Sequence, residues 1–348
     1  MTNQPTAHIP LDLRHGRVEL THGAGGRAMS QLIDGIFRRH LDNPLLAQGN
    51  DQACFTVPSG RLAMSTDGHV VSPLFFPGGD IGALAVHGTI NDLAMGGARP
   101  LHLSAGFIIE EGFALAELDR IVASMAQAAE AAGVRVVTGD TKVVERGKGD
   151  GVFITTTGIG VVPEGIELSG ERARPGDAIV LSGGIGEHGV AILAEREHLG
   201  FATTVHSDSA ALHGLVATML AAVPGLRCLR DPTRGGLAAC LNELAHQSGV
   251  GMQIREAAIP VHPEVAAACE LLGLDPLHIA NEGKLVAICP RDRVTDLLAA
   301  MHAHPLGTGA SQIGEVVEDA LLLVQMETSF GGARVVDWLS GEQLPRIC

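Results

Sequence analysis

The sequence predicts a two-domain mixed α/β (α+β) protein with a short flexible tail. Three observations carry that prediction. A chain of 348 residues holds about two domains of ~150 residues each. Strand and helix patterns alternate in both halves. A polar, Gly- and Pro-rich stretch, PEGIELSGERARPGD at 163–177, separates the halves. The expected units are 1–165, 166–332 and a tail over 333–348.

Each element follows from local pattern. GAGGRAMSQLIDGIFRRHL reads as a Gly-rich loop opening a helix, with Met29, Leu32, Ile33, Ile36 and Phe37 on one face. CFTVPSGRLAMSTD reads as a hairpin turning at Pro58-Ser59-Gly60. GGDIGALAVHGTINDLAMGG reads as a helix capped by Asp80 and stopped at Gly96-Gly97. LAELDRIVASMAQAAEAAGV is an amphipathic helix ended by Gly133, followed by strands in VRVVTGD and GVFITTTGIGVV. The second half opens on strand AIVLSGG and helix EHGVAILAERE. Helices near 209–222 and 235–248 and strands near 284–289 and 313–317 follow. Gly331-Gly332 reads as a hinge before the tail.

Composition narrows the function class. Hydrophobic residues are 46% and charged residues 18% of the chain, and mean hydropathy is +0.24, the profile of a globular domain. Aromatic residues are 3% and tyrosine is absent, so aliphatic side chains must fill the cores. The net charge of −15 argues against nucleic acid, which needs a basic face. No apolar run approaches the ~20 residues of a membrane span, and the first residues lack a signal-peptide pattern. The expectation is a cytoplasmic protein without a membrane partner. Six scattered cysteines without a CxxC pair argue against disulfides or zinc; the first five are expected to be buried and reduced.

Chemistry is concentrated in aspartates placed at element ends: Asp51, Asp67, Asp92, Asp140 and Asp231. Asp92 is the most telling. A carboxylate in the last turn of a helix faces the negative end of the macrodipole, and a bound cation reverses that cost. Beside Gly-rich loops able to cradle phosphate, such carboxylates suit Mg2+ with a nucleotide. Lys142, two residues after Asp140, lies on the same side of an extended strand and suits stabilisation of developing negative charge. Glu282 in NEGK stands before an apolar strand. Gly184, Gly186 and Gly189 form a G-x-G-x-x-G with Asp208 about 20 residues on. The intervening segment is a poor buried strand, so tight strand–helix packing is the preferred use of these glycines over dinucleotide binding. The sequence ends in PRIC, placing a thiol at Cys348.

Taken together, HGAGGRAM, STDGHVVSPLFFPGGDIG, NDLAMGGARP, VTGDTKVVERG, DPTRGGL, NEGKLV, HPLG, IGEVV and PRIC resemble the hydrogenase maturation factors of the HypE family. That family lies within the superfamily of aminoimidazole ribonucleotide synthetase and selenophosphate synthetase. The resemblance implies an aminoimidazole ribonucleotide synthetase-like fold that dimerises through its N-terminal domains, with ATP and Mg2+ between the domains and near the dimer interface. It implies metal-binding roles for Asp51, Asp92 and Asp231. Asp67, Asn91, Gly139, Asp140 and Gly235 fall near the nucleotide, and Lys142, Asp92 and Glu282 serve the dehydration. Cys348 becomes the carrier thiol. A HypF-like carbamoyltransferase loads it, ATP-dependent dehydration turns S–C(=O)NH2 into S–C≡N, and a HypC–HypD-like iron complex accepts the cyanide for a NiFe-hydrogenase. Two positions depart from the pattern: Ala83 stands where relatives often carry lysine, and Asn50 precedes Asp51 where a paired aspartate is usual. A sibling synthetase acting on a free small molecule and a non-catalytic carrier are the alternatives.

Overall fold

A computed structural model describes residues 11–197, 205–338 and 346–348. The middle of the expected tail, 339–345, lies outside the described residues, as do 1–10.

The first unit opens with a helical run: α1 (Arg27–Leu32), a π-helical segment (Ile33–Arg38) and α2 (Arg39–Leu41). Leu32, Ile36 and Phe37 bury the expected face. Next come β1 (Arg61–His69), the short pair β2 (Phe75–Phe76) and β3 (Gly79–Asp80), α3 (Ile81–Met95), β4 (Arg99–Glu110), α4 (Leu115–Ala131), β5 (Arg135–Val144) and β6 (Val152–Val162). The four long strands form one sheet in the order β1-β6-β4-β5, parallel only between β4 and β5.

The expected hairpin before β1 does not form. Gly60, at φ +133°, swings the chain into a register of nine residues with β6. Pro58, which has no N–H to give a ladder, stays outside any strand with its neighbours 51–58. Cys54, expected to be buried, therefore lies exposed.

Helix α3 is apolar on almost every side and is buried along most of its surface, with Asp92 the exposed exception, as suits a helix between two layers. Asp80 caps it as expected, its Oδ1 accepting from Gly82 N at 2.8 Å and Ala83 N at 3.2 Å. One flank of α3 lies on the sheet and α4; the other meets the second unit. The opposite face of the sheet is open, and Leu62 and Met64 are 62% and 72% exposed there.

The second unit contains β7 (Ala178–Leu181), α5 (Glu187–Arg196), α6 (His213–Ala222), β8 (Cys228–Arg230), α7 (Gly236–Ser248), β9 (Gly251–Arg255), α8 (Pro263–Leu272), β10 (Val286–Cys289), α9 (Val294–His302), β11 (Ser311–Val317), β12 (Val324–Glu327) and β13 (Ala333–Val335). Its sheet runs β13-β12-β9-β11-β7-β10-β8 and is antiparallel except between β12 and β9. Strand β7 is buried on both faces. Ile179 and Leu181 pack toward α7, while Ala178 and Val180 pack toward α6 and α9. Gly331-Gly332 is the turn of the β12–β13 hairpin rather than a hinge. Thr328 N donates to Gly332 O at 2.7 Å and Gly332 N to Thr328 Oγ1 at 3.1 Å, and these bonds fix the turn.

The two units meet along α3. Asn91 Nδ2 donates to Ala210 O and Glu282 O, and its Oδ1 accepts from Leu212 N. His87 Nδ1 meets Ser209 Oγ at 3.0 Å. Burial, then the neighbouring His213, pushes His87 down to about 4. A histidine with a depressed folded pKa binds fewer protons than the unfolded chain between about 6.5 and 4, so stability is lost as pH drops through that window. His87→Gln keeps a polar side chain and removes the titration. Thermal melts should show the variant gaining on the parent by about 2 kcal/mol as pH drops from 7 to 4.5. A constant gap would remove His87 as the cause.

Candidate active site

The inward side of β1 runs along α3. Ser65 Oγ donates to Asp92 Oδ2 at 2.6 Å. One helical turn back, a Cβ on Gly88 would stand 3.0 Å from Asp67 Oδ2 and from His69 Cε1. Glycine at 88 is what lets Asp67 lie against the helix. Across the interface, β8 delivers Asp231 directly after its last residue, Arg230. Ser65, Asp92, Arg230, Asp231 and Arg234 line one interdomain cleft of about 590 Å³.

These carboxylates crowd one another. Burial, then Asp92, pushes the Asp231 carboxyl up to about 7. Burial also raises Asp92, opposed by the Ser65 hydrogen bond and reinforced by Asp67. The expectation that Asp92 is placed awkwardly at its helix end holds, and the neighbouring acids add to the cost.

Glu282 sits behind this group on the NEGK loop, and Asp208 is the loop's anchor. Its carboxylate accepts from Glu282 N at 3.0 Å, Gly283 N at 3.1 Å and Lys284 Nζ at 3.0 Å. A Cβ at 283 would collide with Asp208 O, so the loop closes only with glycine there. Glu282 is 4% exposed, and its Oε1 has no hydrogen-bond partner among the described residues. Burial, then Asp231, Asp208, Asp67 and Asp92, holds its carboxyl well above the ordinary range.

Cys348 reaches the same place. Val70 N donates to Cys348 O at 3.0 Å, and Ile347 is buried in the core of the first unit. Burial, then Glu282, raises the thiol far above its usual value, with Asp67 and Asp231 acting in the same direction and Arg234 opposing. The docked thiol is therefore protonated.

The structure brings Asp67, Asp92, Asp231, Glu282 and Cys348 together but separates Asp51, Gly139, Asp140 and Lys142 from them. Asp140 lies mid-strand in β5, not at its end, because the parallel register with β4 continues to Val144. Asp67 likewise precedes the end of β1 by two residues. Asp140 and Lys142 point to the open face, where Lys142 Nζ binds Asp140 Oδ2 at 2.7 Å. That hydrogen bond lowers the Asp140 carboxyl. Asn50, Asp51, Gly139 and Asp140 line a second cleft of about 450 Å³ beside Phe37 and Arg38. Asp67 and Gly139 share one cross-strand row, but their strands β1 and β5 stand three strand spacings apart, about 14 Å. Asp51, Asp92 and Asp231 thus do not converge within one chain. Among the described residues, no three acidic, histidine or cysteine side chains form a metal cluster on their own.

Asn91 is fully spent on the interdomain bonds given above and is 1% exposed, so it holds the site together rather than facing a nucleotide. Gly235 adopts φ +77° before α7, which turns the chain from the Asp231 cleft into the helix. The G-x-G-x-x-G serves packing, as expected. Amides of Ile185, Gly186 and Gly189 are spent on Pro260 O, Asn281 Oδ1 and Ala280 O. A Cβ at Gly186 would meet Val265 at 2.8 Å. Ala83 packs against the core of the first unit. Asp208, His188 and Arg196, which hold the loop and the tail, carry no motif. Only Asp208 stood out in the sequence, and there for its spacing to the glycines.

Comparison with known proteins places these features in context. Residues 49–162 match the family model described as AIR synthase related protein, N-terminal domain, and residues 174–326 match its C-terminal domain. The carbamoyl dehydratase HypE of Azotobacter vinelandii is 70% identical over 97% of this chain and 99% of its own. A crystal structure of the hydrogenase maturation protein HypE in complex with ATP superposes with a TM-score of 0.92 at 52% identity, covering 95% of this chain and 99% of that one. A HypE–HypF complex is similar at a TM-score of 0.78 and 47% identity, covering 88% and 99%.

Proposed function

We propose a function from the premise that this chain belongs to the HypE carbamoyl dehydratases, within the AIR synthase related proteins. The enzyme uses ATP to dehydrate a carbamoyl group carried on Cys348, converting an S-carboxamide into an S-cyanide for hydrogenase maturation. The observation that carries this reading is the docked thiol of Cys348 beside the buried carboxyl of Glu282, whose Oε1 has no hydrogen-bond partner among the described residues.

The cleft suits Mg2+ held jointly by carboxylates and phosphate. Asp92 and Asp67 raise the proton affinity of Asp231, and Asp67 that of Asp92, a repulsion that a divalent cation shared with phosphate oxygens would relieve. Arg230 and Arg234 border the same cleft and offer positive charge to phosphate oxygens. ATP, when bound, supplies the phosphoryl group that makes the amide oxygen a leaving group, so that oxygen departs in inorganic phosphate. The residues of the chain do the rest. The docked tail holds the thiocarbamate in place, replacing a bimolecular encounter with a tethered one. One nitrogen proton is lost to solvent as the amide oxygen takes the phosphoryl group; Glu282, a stronger base than an ordinary carboxylate, takes the second as phosphate leaves and the C≡N bond forms. The buried NEGK loop keeps water from that nitrogen in this second step.

The cleft lined by Asp51, Gly139 and Asp140, with Lys142 beside it on β5, enters this reading through a homodimer. Leu62, Met64 and Ile108 expose apolar side chains on the open sheet face, and a second copy would cover them and the Lys142–Asp140 pair. Lys142 then adds its charge from the dimer interface. A HypF-like donor loads the tail, and an iron-carrying HypC–HypD-like complex receives the cyanide. No helix among the described residues is long and apolar enough to cross a membrane.

The alternatives separate by ATP turnover. Carbamoylated protein should hydrolyse about one ATP per loaded Cys348 and then stop, whereas unloaded protein hydrolyses far less. Equal turnover with and without loading would favour a free small-molecule substrate; none in either state would favour a carrier.

A further inference from the structure

We infer that His188 and Arg196, at the two ends of α5, are positioning residues that read the backbone of the tail and set Cys348 against Glu282. This rests on Cys348 being the reacting arm. All three carbonyls of residues 346–348 are taken by donors. Val70 N reaches Cys348 O at 3.0 Å and Ser72 N reaches Arg346 O at 3.1 Å. His188 Nε2 donates to Ile347 O at 2.8 Å, and Arg196 Nη2 donates to Arg346 O at 2.7 Å. Arg196 Nε also holds Ser72 O at 2.8 Å, so one guanidinium bridges the tail and the segment 70–72 against which the tail lies. The clamp therefore spans both units, with 70–72 from the first and α5 from the second.

The parts are built for this. His188 is fully buried, and its Nδ1 lies 2.8 Å from Ser207 Oγ. A carbonyl only accepts, so Nε2 carries the proton and Nδ1 accepts from Ser207. Phe76 packs edge-on against the ring at 5.6 Å, which fixes its plane. Ile347 is the one side chain of the tripeptide that is buried, at 4% exposure. Arg346 forms an ion pair with Asp150 at the rim. Recognition is thus by main chain plus one apolar anchor. It places the final residue by distance from that anchor and leaves the Cys348 side chain free to carry a group.

Docking also buries the thiol and disfavours its ionisation, and a thiol must be accessible and ionise to attack a donor. Loosening the clamp should therefore move two rates in opposite directions, which a general loss of folding would not do. Full-length Arg196→Leu and His188→Leu are compared with the parent by maleimide labelling, with Cys348 resolved by mass and exposed Cys54 as internal reference. Cys348 labelling should rise about tenfold while Cys54 labelling is unchanged. ATP-dependent dehydration of the carbamoylated protein should lose about tenfold in kcat with KM for ATP held. His188→Gln, which retains a donor, should stay near the parent. Arg196 lies at the last turn of α5, so its variant serves if His188→Leu does not fold. Unchanged Cys348 labelling in folded Arg196→Leu would overturn the clamp. Raised labelling with dehydration at the parent rate would leave the clamp standing and overturn Cys348 as the reacting arm.

Discussion

Glu282→Gln should lower the dehydration rate by about 10²–10⁴-fold while raising stability at alkaline pH. The two effects have one cause. Glu282 is buried beside Asp231, Asp208, Asp67 and Asp92, and its carboxyl titrates well above the ordinary range. An acid with a raised folded pKa favours the folded state below the ordinary carboxylate range, and that contribution is lost as pH rises toward the folded value. Glutamine is neutral at every pH and nearly the same shape, so the melting curve of the variant should gain on the parent as pH increases. The backbone of the loop is held by Asp208 rather than by the Glu282 side chain, so the fold survives. Activity moves the other way, because an amide cannot accept the nitrogen proton. In the parent, kcat should climb with pH as the ionised fraction of Glu282 grows, and that limb should vanish in the variant. A variant with parental kcat, whatever its stability, would remove Glu282 from the chemistry.

Cys348→Ser should abolish S-cyanide formation while leaving the fold intact, with stability within about 0.5 kcal/mol of the parent. Its carbonyl bond to Val70 and the burial of Ile347 do not depend on sulfur, so the tail should dock as before. What is lost is the sulfur proposed to hold the carbamoyl group. A hydroxyl is a far weaker nucleophile at neutral pH than a thiol, so loading itself fails. ATP binding, proposed above to use the interdomain cleft, should be retained. Cyanide production by Cys348→Ser at the parental rate would mean that the substrate is not carried on this residue.

Sequence pattern located most elements of the fold because each had a local signature. Asp80 caps α3 and Gly97 follows it at φ +74°, both as expected from composition at helix ends. What pattern could not supply was pairing. Pro58-Ser59-Gly60 looks like a hairpin turn, but β6 offers β1 a longer partner. Gly331-Gly332 looks like a hinge, but Thr328 closes it into a turn.

The same limit governed the site. The aspartates were visible one by one, yet the face of the sheet that each occupies depends on register, which no single segment encodes. Asp67 and Asp140 sit on strands of the same sheet and point to opposite sides of it. Asp208 anchors the Glu282 loop through contacts spanning more than 70 residues. His188 meets the tail across 159 residues of sequence. Such contacts leave no spacing to read. The terminal thiol was legible because residue type and position coincide there, and the structure adds where it docks.

The most direct test of the account is the intact mass of the protein after incubation with the carbamoyl donor, then with ATP and Mg2+. The account predicts a carbamoyl adduct confined to the C-terminal peptide bearing Cys348, which loses the mass of one water when ATP is added; Cys348→Ser should show neither step. An adduct that stays unchanged with ATP, or one that forms on another residue, would contradict it.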